Sequence, residues 1–154
     1  MRTPARLLFG LALSVLLGAT ACKKTSDEDL IKATVRRALA AANEKDAGGV
    51  VEDADESFVG PRKMKLADTR RYLMGFFFRK GWVKAIERDL VVEVKNDSYA
   101  KAKLEVAVAE GNDVQEVQDL VPTNATMLEI EIGLQKIDGD WKFVKADYRR
   151  IGLK

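Results

Sequence analysis

Histidine is absent from the 154 residues. That absence removes the commonest general base at neutral pH and every His-based triad or zinc site. Cysteine occurs once, as Cys22. No intrachain disulfide is possible, and the fold must hold by its core alone. No phosphate-cradling glycine motif is present, and no metal or cofactor is expected. Charge of one sign is also lacking, with 26 basic against 24 acidic residues, interspersed rather than blocked. A chain that binds phosphate backbones needs a basic patch, so nucleic acid is not an expected partner. Finally, the longest apolar run at the N-terminus, Leu7 to Ala19, has 13 residues. A permanent transmembrane helix needs about 20.

What the N-terminus does contain is an export leader. Arg2 and Arg6 precede the apolar run, which ends in Leu17-Gly18-Ala19-Thr20-Ala21-Cys22. This order matches a secretory signal peptide. Two readings of its end cut the same bond, between Ala21 and Cys22. In one, the segment resembles a lipobox and Cys22 becomes an acylated N-terminus. In the other, Ala19-Thr20-Ala21 is an ordinary small-residue site. The lipobox usually has Leu where this chain has Ala19. Bacterial lipoproteins, which the first reading resembles, carry two or three acyl chains, and two chains already anchor stably. The division expected is 1–21 signal peptide, 22–26 lipid anchor and tether, and 27–154 a single domain. The membrane lipid is then a partner through Cys22. Lys23, in place of the Asp that marks inner-membrane retention in enteric bacteria, leans towards the periplasmic face of the outer membrane. Without the leader's two arginines, 24 basic residues balance 24 acidic ones.

Hydrophobic periodicity divides the remainder. Ser26 and the acids after it are a helix start signal. Leu30, Ile31, Thr34, Val35, Ala38, Leu39 and Ala42 then recur at helical spacing, predicting a helix from about Asp27 to Lys45. Gly48-Gly49 breaks it. Val50, Val51, Ala54 and Phe58 predict a second, shorter helix, ended by Gly60-Pro61. Leu66 to Lys80 predicts a third, with Leu66, Thr69, Leu73, Phe76 and Phe77 on one face and Gly81 as its C′ residue. The Phe76-Phe77-Phe78 run is read as core packing, as a ligand wall, or as both.

From Trp82 the period becomes 2. Leu90, Val92 and Val94 form one strand face. Ala100, Ala102, Leu104, Val106 and Val108 form another, and Leu128, Ile130, Ile132 and Leu134 a third. Asn96-Asp97-Ser98 and Asp138-Gly139 are turn signals. In the last strand, Trp141 to Ile151, the apolar phase changes between Phe143 and Val144, which predicts a bulge or burial on both faces. Residues 111–126 are irregular, with Val114, Val117, Val121 and Pro122; a functional loop and a covered edge connection are both open.

Two segments carry a family resemblance. Ser57-Phe58-Val59-Gly60-Pro61 followed by Arg71-Tyr72-Leu73-Met74-Gly75-Phe76-Phe77 resembles the helix-to-helix region of the nuclear-transport-factor-2-like superfamily. Asp138-Gly139-Asp140-Trp141-Lys142-Phe143 is similar to its closing turn-Trp-strand segment. The resemblance covers about residues 27–151. It implies an α+β domain in which a curved antiparallel sheet of four or more strands packs on about three N-terminal helices. The resulting cone encloses an apolar pocket, and Leu73, Phe76, Phe77, Leu90, Trp141, Phe143 and Tyr148 are the expected lining.

Enzymes of that superfamily use pocket carboxylates, sometimes with Arg or Tyr, so Glu93, Glu129, Glu131, Asp147 and Tyr148 are the catalytic candidates. Strand phase sets Glu93, Glu129 and Glu131 against their apolar neighbours and towards water. Asp147 shares phase with Trp141 and Phe143 unless a bulge intervenes. With a bulge it points outward and pairs with Arg149 or a lysine. The expected function is a non-catalytic envelope lipoprotein that binds an apolar small molecule or an envelope protein. The alternatives are a scaffold subunit of an envelope assembly, favoured by an apolar strip on 111–126, and a pocket isomerase or dehydratase with Asp147 as base.

Overall fold

The computed structural model describes residues 25–111 and 125–152. The leader, Cys22 and residues 112–124 lie outside the described residues. So do the expectations resting on them: signal peptide, lipid attachment and apolar strip.

Helix α1 spans Asp27–Asn43. Ser26 Oγ accepts from the Asp29 amide, and three acids in the first turn complement the positive end of the helix. Its inner face buries Ile31, Thr34 and Val35, while Leu30 is exposed. Asp46 then caps the single turn α2, Ala47–Val50, by accepting from the amides of Gly48 and Gly49. Helix α3 covers Leu66–Phe78. It turns Phe77 inward and leaves Phe78 92% exposed, so the aromatic run divides between core and surface. Gly81 takes no left-handed conformation: the helix ends at Arg79, in an ordinary helical conformation.

The short second helix expected over Val50 to Phe58 does not form; the single turn α2 ends at Val50. From Ala54 to Val59 the chain is a strand, β1, which runs parallel to β5 (Asp140–Ile151). The apolar spacing fits a helix, but Gly48-Gly49 lie inside α2, so the turn cannot be extended cheaply. As a strand, the segment buries Phe58 against the same core. The remaining strands are β2 (Trp82–Asn96), β3 (Tyr99–Gly111) and β4 (Thr126–Ile137). They join with antiparallel pairing in the order β1-β5-β4-β3-β2, so the sheet has five strands and is mixed.

Two-residue turns close both hairpins. Asn96 Oδ1 accepts from the Ser98 amide at 3.0 Å. Asp138 and Gly139 take φ of 52° and 90°, as a type I′ turn requires. Bulges bend the sheet. Arg88 is the extra residue between the Glu87–Val106 and Asp89–Glu105 pairs. Its insertion carries burial from Val83 and Ala85 to Leu90 across a change of phase. Val144 is the extra residue between Leu134–Phe143 and Gly133–Lys145, where the apolar phase of β5 changes.

The helices lie on one face of this bent sheet. Ile31 and Val35 meet Leu90, Ala100, Leu104, Val106, Leu134, Trp141 and Phe143 in the main core. A smaller cluster of Ala47, Phe77 and Val83 closes the other end. Asp27 Oδ1 accepts from Trp141 Nε1 at 3.0 Å and pairs with Lys136 Nζ at 2.8 Å, fixing the start of α1 to the β4–β5 hairpin. At the far end of α1, the Asn43 side chain pairs with the backbone of β2 as a strand would. Its Nδ2 donates to Ala85 O at 3.0 Å, and its Oδ1 accepts from the Ala85 amide at 2.6 Å.

Candidate functional site: an apolar cavity under the helices

Between the helices and the inner face of the sheet lies a cavity of about 390 Å³. That is within the size range of small-molecule sites. Alternation builds its wall. On β4 every second residue, Leu128, Ile130 and Ile132, faces inward and lines it. Directly paired residues of antiparallel strands share a face. The β5 partners Arg150, Tyr148 and Ala146 therefore point the same way. Leu104 and Val108 of β3, Phe58 of β1, and Val35, Ala38 and Leu39 of α1 complete the apolar part. From α3, Thr69, Tyr72, Leu73 and Phe76 close the roof.

Of the residues expected along the wall, Leu73, Phe76, Phe143 and Tyr148 are there. Phe77, Leu90 and Trp141 lie elsewhere. Phe77 packs in the small cluster with Ala47 and Val83, while Leu90 and Trp141 are buried in the main core. The reason is angular. Phe77 sits about 100° from Phe76 around the helix, which turns it towards α2 and β2. Trp141 is held by its own hydrogen bond to Asp27. Arg150 and Tyr72 were not singled out by sequence, although the phase change at Val144 places Arg150 on the inner face. Neither were the α1 residues, whose apolar stripe looks the same whether it meets core or hollow.

The rim is polar. Glu110, Thr126, Tyr72, Tyr148 and Arg150 line the cavity and are exposed. Glu110 is paired with Lys80 at 2.8 Å. At the wall, Thr69 Oγ1 is a buried hydroxyl oxygen with no hydrogen-bond partner, in a residue only 7% exposed. It lies so close to Gly60 that a Cβ there would approach it to 2.5 Å. Gly60 leads into the turn Pro61-Arg62-Lys63, tied across its base by the Gly60 amide donating to Met64 O at 2.7 Å. Pro61 and Met64 of this turn also touch the cavity.

The carboxylate candidates separate by face. Asp147 pairs in register with Glu131, so beyond the bulge it turns to the outer face while touching the rim. One of its oxygens accepts from the Tyr148 amide at 2.9 Å. Arg149 pairs with Glu129 instead. Glu131 and Glu93 are exposed, the latter paired with Lys95. Glu129 departs from the expectation that it faces water. It is on the outer face, but only 3% exposed. Lys103 Nζ lies 2.6 Å from one of its oxygens, and Arg149 Nε donates to the other at 2.6 Å. These two long side chains cover it at the sheet surface; it is not sunk in the core. Their hydrogen bonds, Lys103 first and then Arg149, hold its carboxyl below the usual carboxylate range, and Glu129 in turn raises Lys103. Among the described residues no group of three acidic, histidine or cysteine side chains is placed to hold a metal ion. No helix among them is long and apolar enough to cross a membrane.

No protein-family model matches the chain, and no curated protein matches it in sequence. Solved structures do match its fold. A domain of unknown function with a cystatin-like fold from Nostoc punctiforme superposes with a TM-score of 0.67 at 16% identity, covering 84% of this chain and 80% of that one. A nuclear-transport-factor-2-like protein of unknown function from Pseudomonas putida gives 0.64 at 12%, covering 79% and 84%. A candidate dehydratase of the same family from Streptomyces avermitilis gives 0.66 at 10%, covering 82% and 97%. The chain therefore has the nuclear-transport-factor-2-like, or cystatin-like, fold; at these identities the likeness speaks to architecture and not to activity.

Proposed function

We propose that this chain is a membrane-tethered envelope protein whose cavity holds an apolar small molecule without transforming it. The observation that carries this reading is the hollow of about 390 Å³, walled by aliphatic and aromatic side chains from both layers of the fold. A core of ordinary packing density leaves few voids larger than a water, so a hollow this size is built for an occupant. The leader and Cys22 support the tether. Five residues, 22–26, precede α1, and an extended chain of that length spans roughly 17 Å. The domain would then ride close to the bilayer on the periplasmic side.

Two experiments test this. The chain is purified from its own membranes and analysed by mass spectrometry for retained small molecules. One apolar molecule per chain in the wild type, lost from Ala146→Phe, supports the reading; preparations that are repeatedly empty contradict it. Labelled palmitate should enter the wild type and not Cys22→Ala. A free thiol on the exported protein would remove the tether.

A second reading is enzymatic, because one fold neighbour is named a candidate dehydratase. Here Asp147, which borders the rim although it turns to the outer face, would serve as base, with Tyr148 beside it. If Asp147→Asn complements every phenotype of a deletion strain, that reading is discarded.

A further inference from the structure

The inner face of β5 grades from apolar to cationic along its length. After the bulge at Val144, the residues facing the cavity are Ala146, Tyr148 and Arg150, following Phe143 at the deep end. From Phe143 to Arg150 is about 20 Å of strand. Phe143 is buried, Ala146 half-buried, Tyr148 41% exposed, and Arg150 exposed. The wall ends in a guanidinium that lines the mouth and pairs with no carboxylate among the described residues.

The nearby acids are otherwise engaged. Glu110 is held by Lys80, and Asp147, turned to the outer face but bordering the rim, accepts from the Tyr148 amide. Tyr72 and Tyr148 bring phenol groups to the same rim. A guanidinium forms its strongest contacts with planar or multi-oxygen anions.

We infer that the occupant is a single-chain amphiphile with an anionic head, its tail among Phe58, Leu73 and Ile132 and its head at Arg150. This rests on the binding reading above and deepens it. The volume sets the scale. A cavity of about 150 Å³ takes benzene, so 390 Å³ accommodates roughly 15 non-hydrogen atoms by proportion. That is too few for a two-chain lipid and enough for one chain of medium length. Carboxylate and phosphate heads satisfy the same guanidinium, and the test separates them.

The full-length chain, held in phosphatidylcholine nanodiscs with empty discs subtracted, is titrated at pH 8 with decanoate, decyl phosphate, decanol and decyltrimethylammonium. The wild type should bind the two anions about tenfold more tightly than decanol, with the cation weakest. The tighter anion identifies the head. In Arg150→Gln the loss for the anions should exceed the loss for decanol by about the same factor, and salt should weaken the anions selectively. Arg150→Lys should recover only part of it. If all four probes bind and Arg150→Gln treats anions and decanol alike, the anionic head is refuted while the cavity reading stands. If none binds the wild type, the cavity reading itself fails.

Discussion

Ala146→Phe turns the cavity into a measurable sign. Ala146 is half-buried on the inner face of β5, opposite Ile132, with its Cβ directed at the hollow. A phenyl ring occupies about as much room as benzene, for which a 150 Å³ cavity suffices. It should take more than a third of the 390 Å³ and still find space. Phenylalanine also suits a strand. Full burial of such a side chain is worth about 1.5–3 kcal/mol. With one side of the ring still facing the hollow, the ligand-free protein should gain about 1–2 kcal/mol. In a site already filled, the same substitution would force neighbours off their rotamers and cost about 1–3 kcal/mol. Urea unfolding of ligand-stripped protein decides between them. The midpoint should rise with no change in m. A fall of more than about 1 kcal/mol, with m unchanged, would refute the premise that this space is available.

Three further outcomes follow from the packing. Asn43→Ala removes both partners of the Ala85 backbone on edge strand β2, so urea unfolding should show a loss of about 2 kcal/mol; no loss would mean water replaces the amide. Gly60→Ala drives a methyl against Thr69 Oγ1 and should cost about 1–3 kcal/mol. Adding Thr69→Ala should return much of that cost, and strict additivity in the double-mutant cycle would show the two do not touch. Glu129 has a depressed folded-state pKa, so its contribution to stability is present above the ordinary carboxylate range and disappears as pH falls through the depressed value. The stability gap between wild type and Glu129→Gln should therefore close on acidification, and a gap that widens towards low pH would contradict the ion-pair assignment.

Sequence periodicity located the elements whose partners are local. The stripe on α1, the Asp138-Gly139 turn and the phase change at Val144 are each set by neighbours a few residues away, so spacing alone predicts them. Strand β1 was hidden because its identity depends on pairing with β5, roughly ninety residues later, and the spacing of Val50, Val51, Ala54 and Phe58 fits a helix equally well. The superfamily resemblance anticipated a pocket and part of its lining, Leu73, Phe76, Phe143 and Tyr148, but not the rest, since core and hollow select the same apolar residues. Phe77 and Trp141 were drawn into packing, while Val35 and Leu39 reached the wall. Glu129 was placed on the correct face, yet its burial comes from Lys103 and Arg149 closing over it, a side-chain event that strand alternation does not encode.

The most direct test is to locate a ligand inside the molecule. With a neutral probe, decanol, at saturation, methyl NMR of the full chain in nanodiscs should give intermolecular NOEs to Ile130, Ile132, Leu128 and Leu73, all of which line the cavity. Cross-peaks confined to Ile86, Val91 and Val94, the exposed apolar residues of β2, or the absence of any cross-peak, would contradict the account.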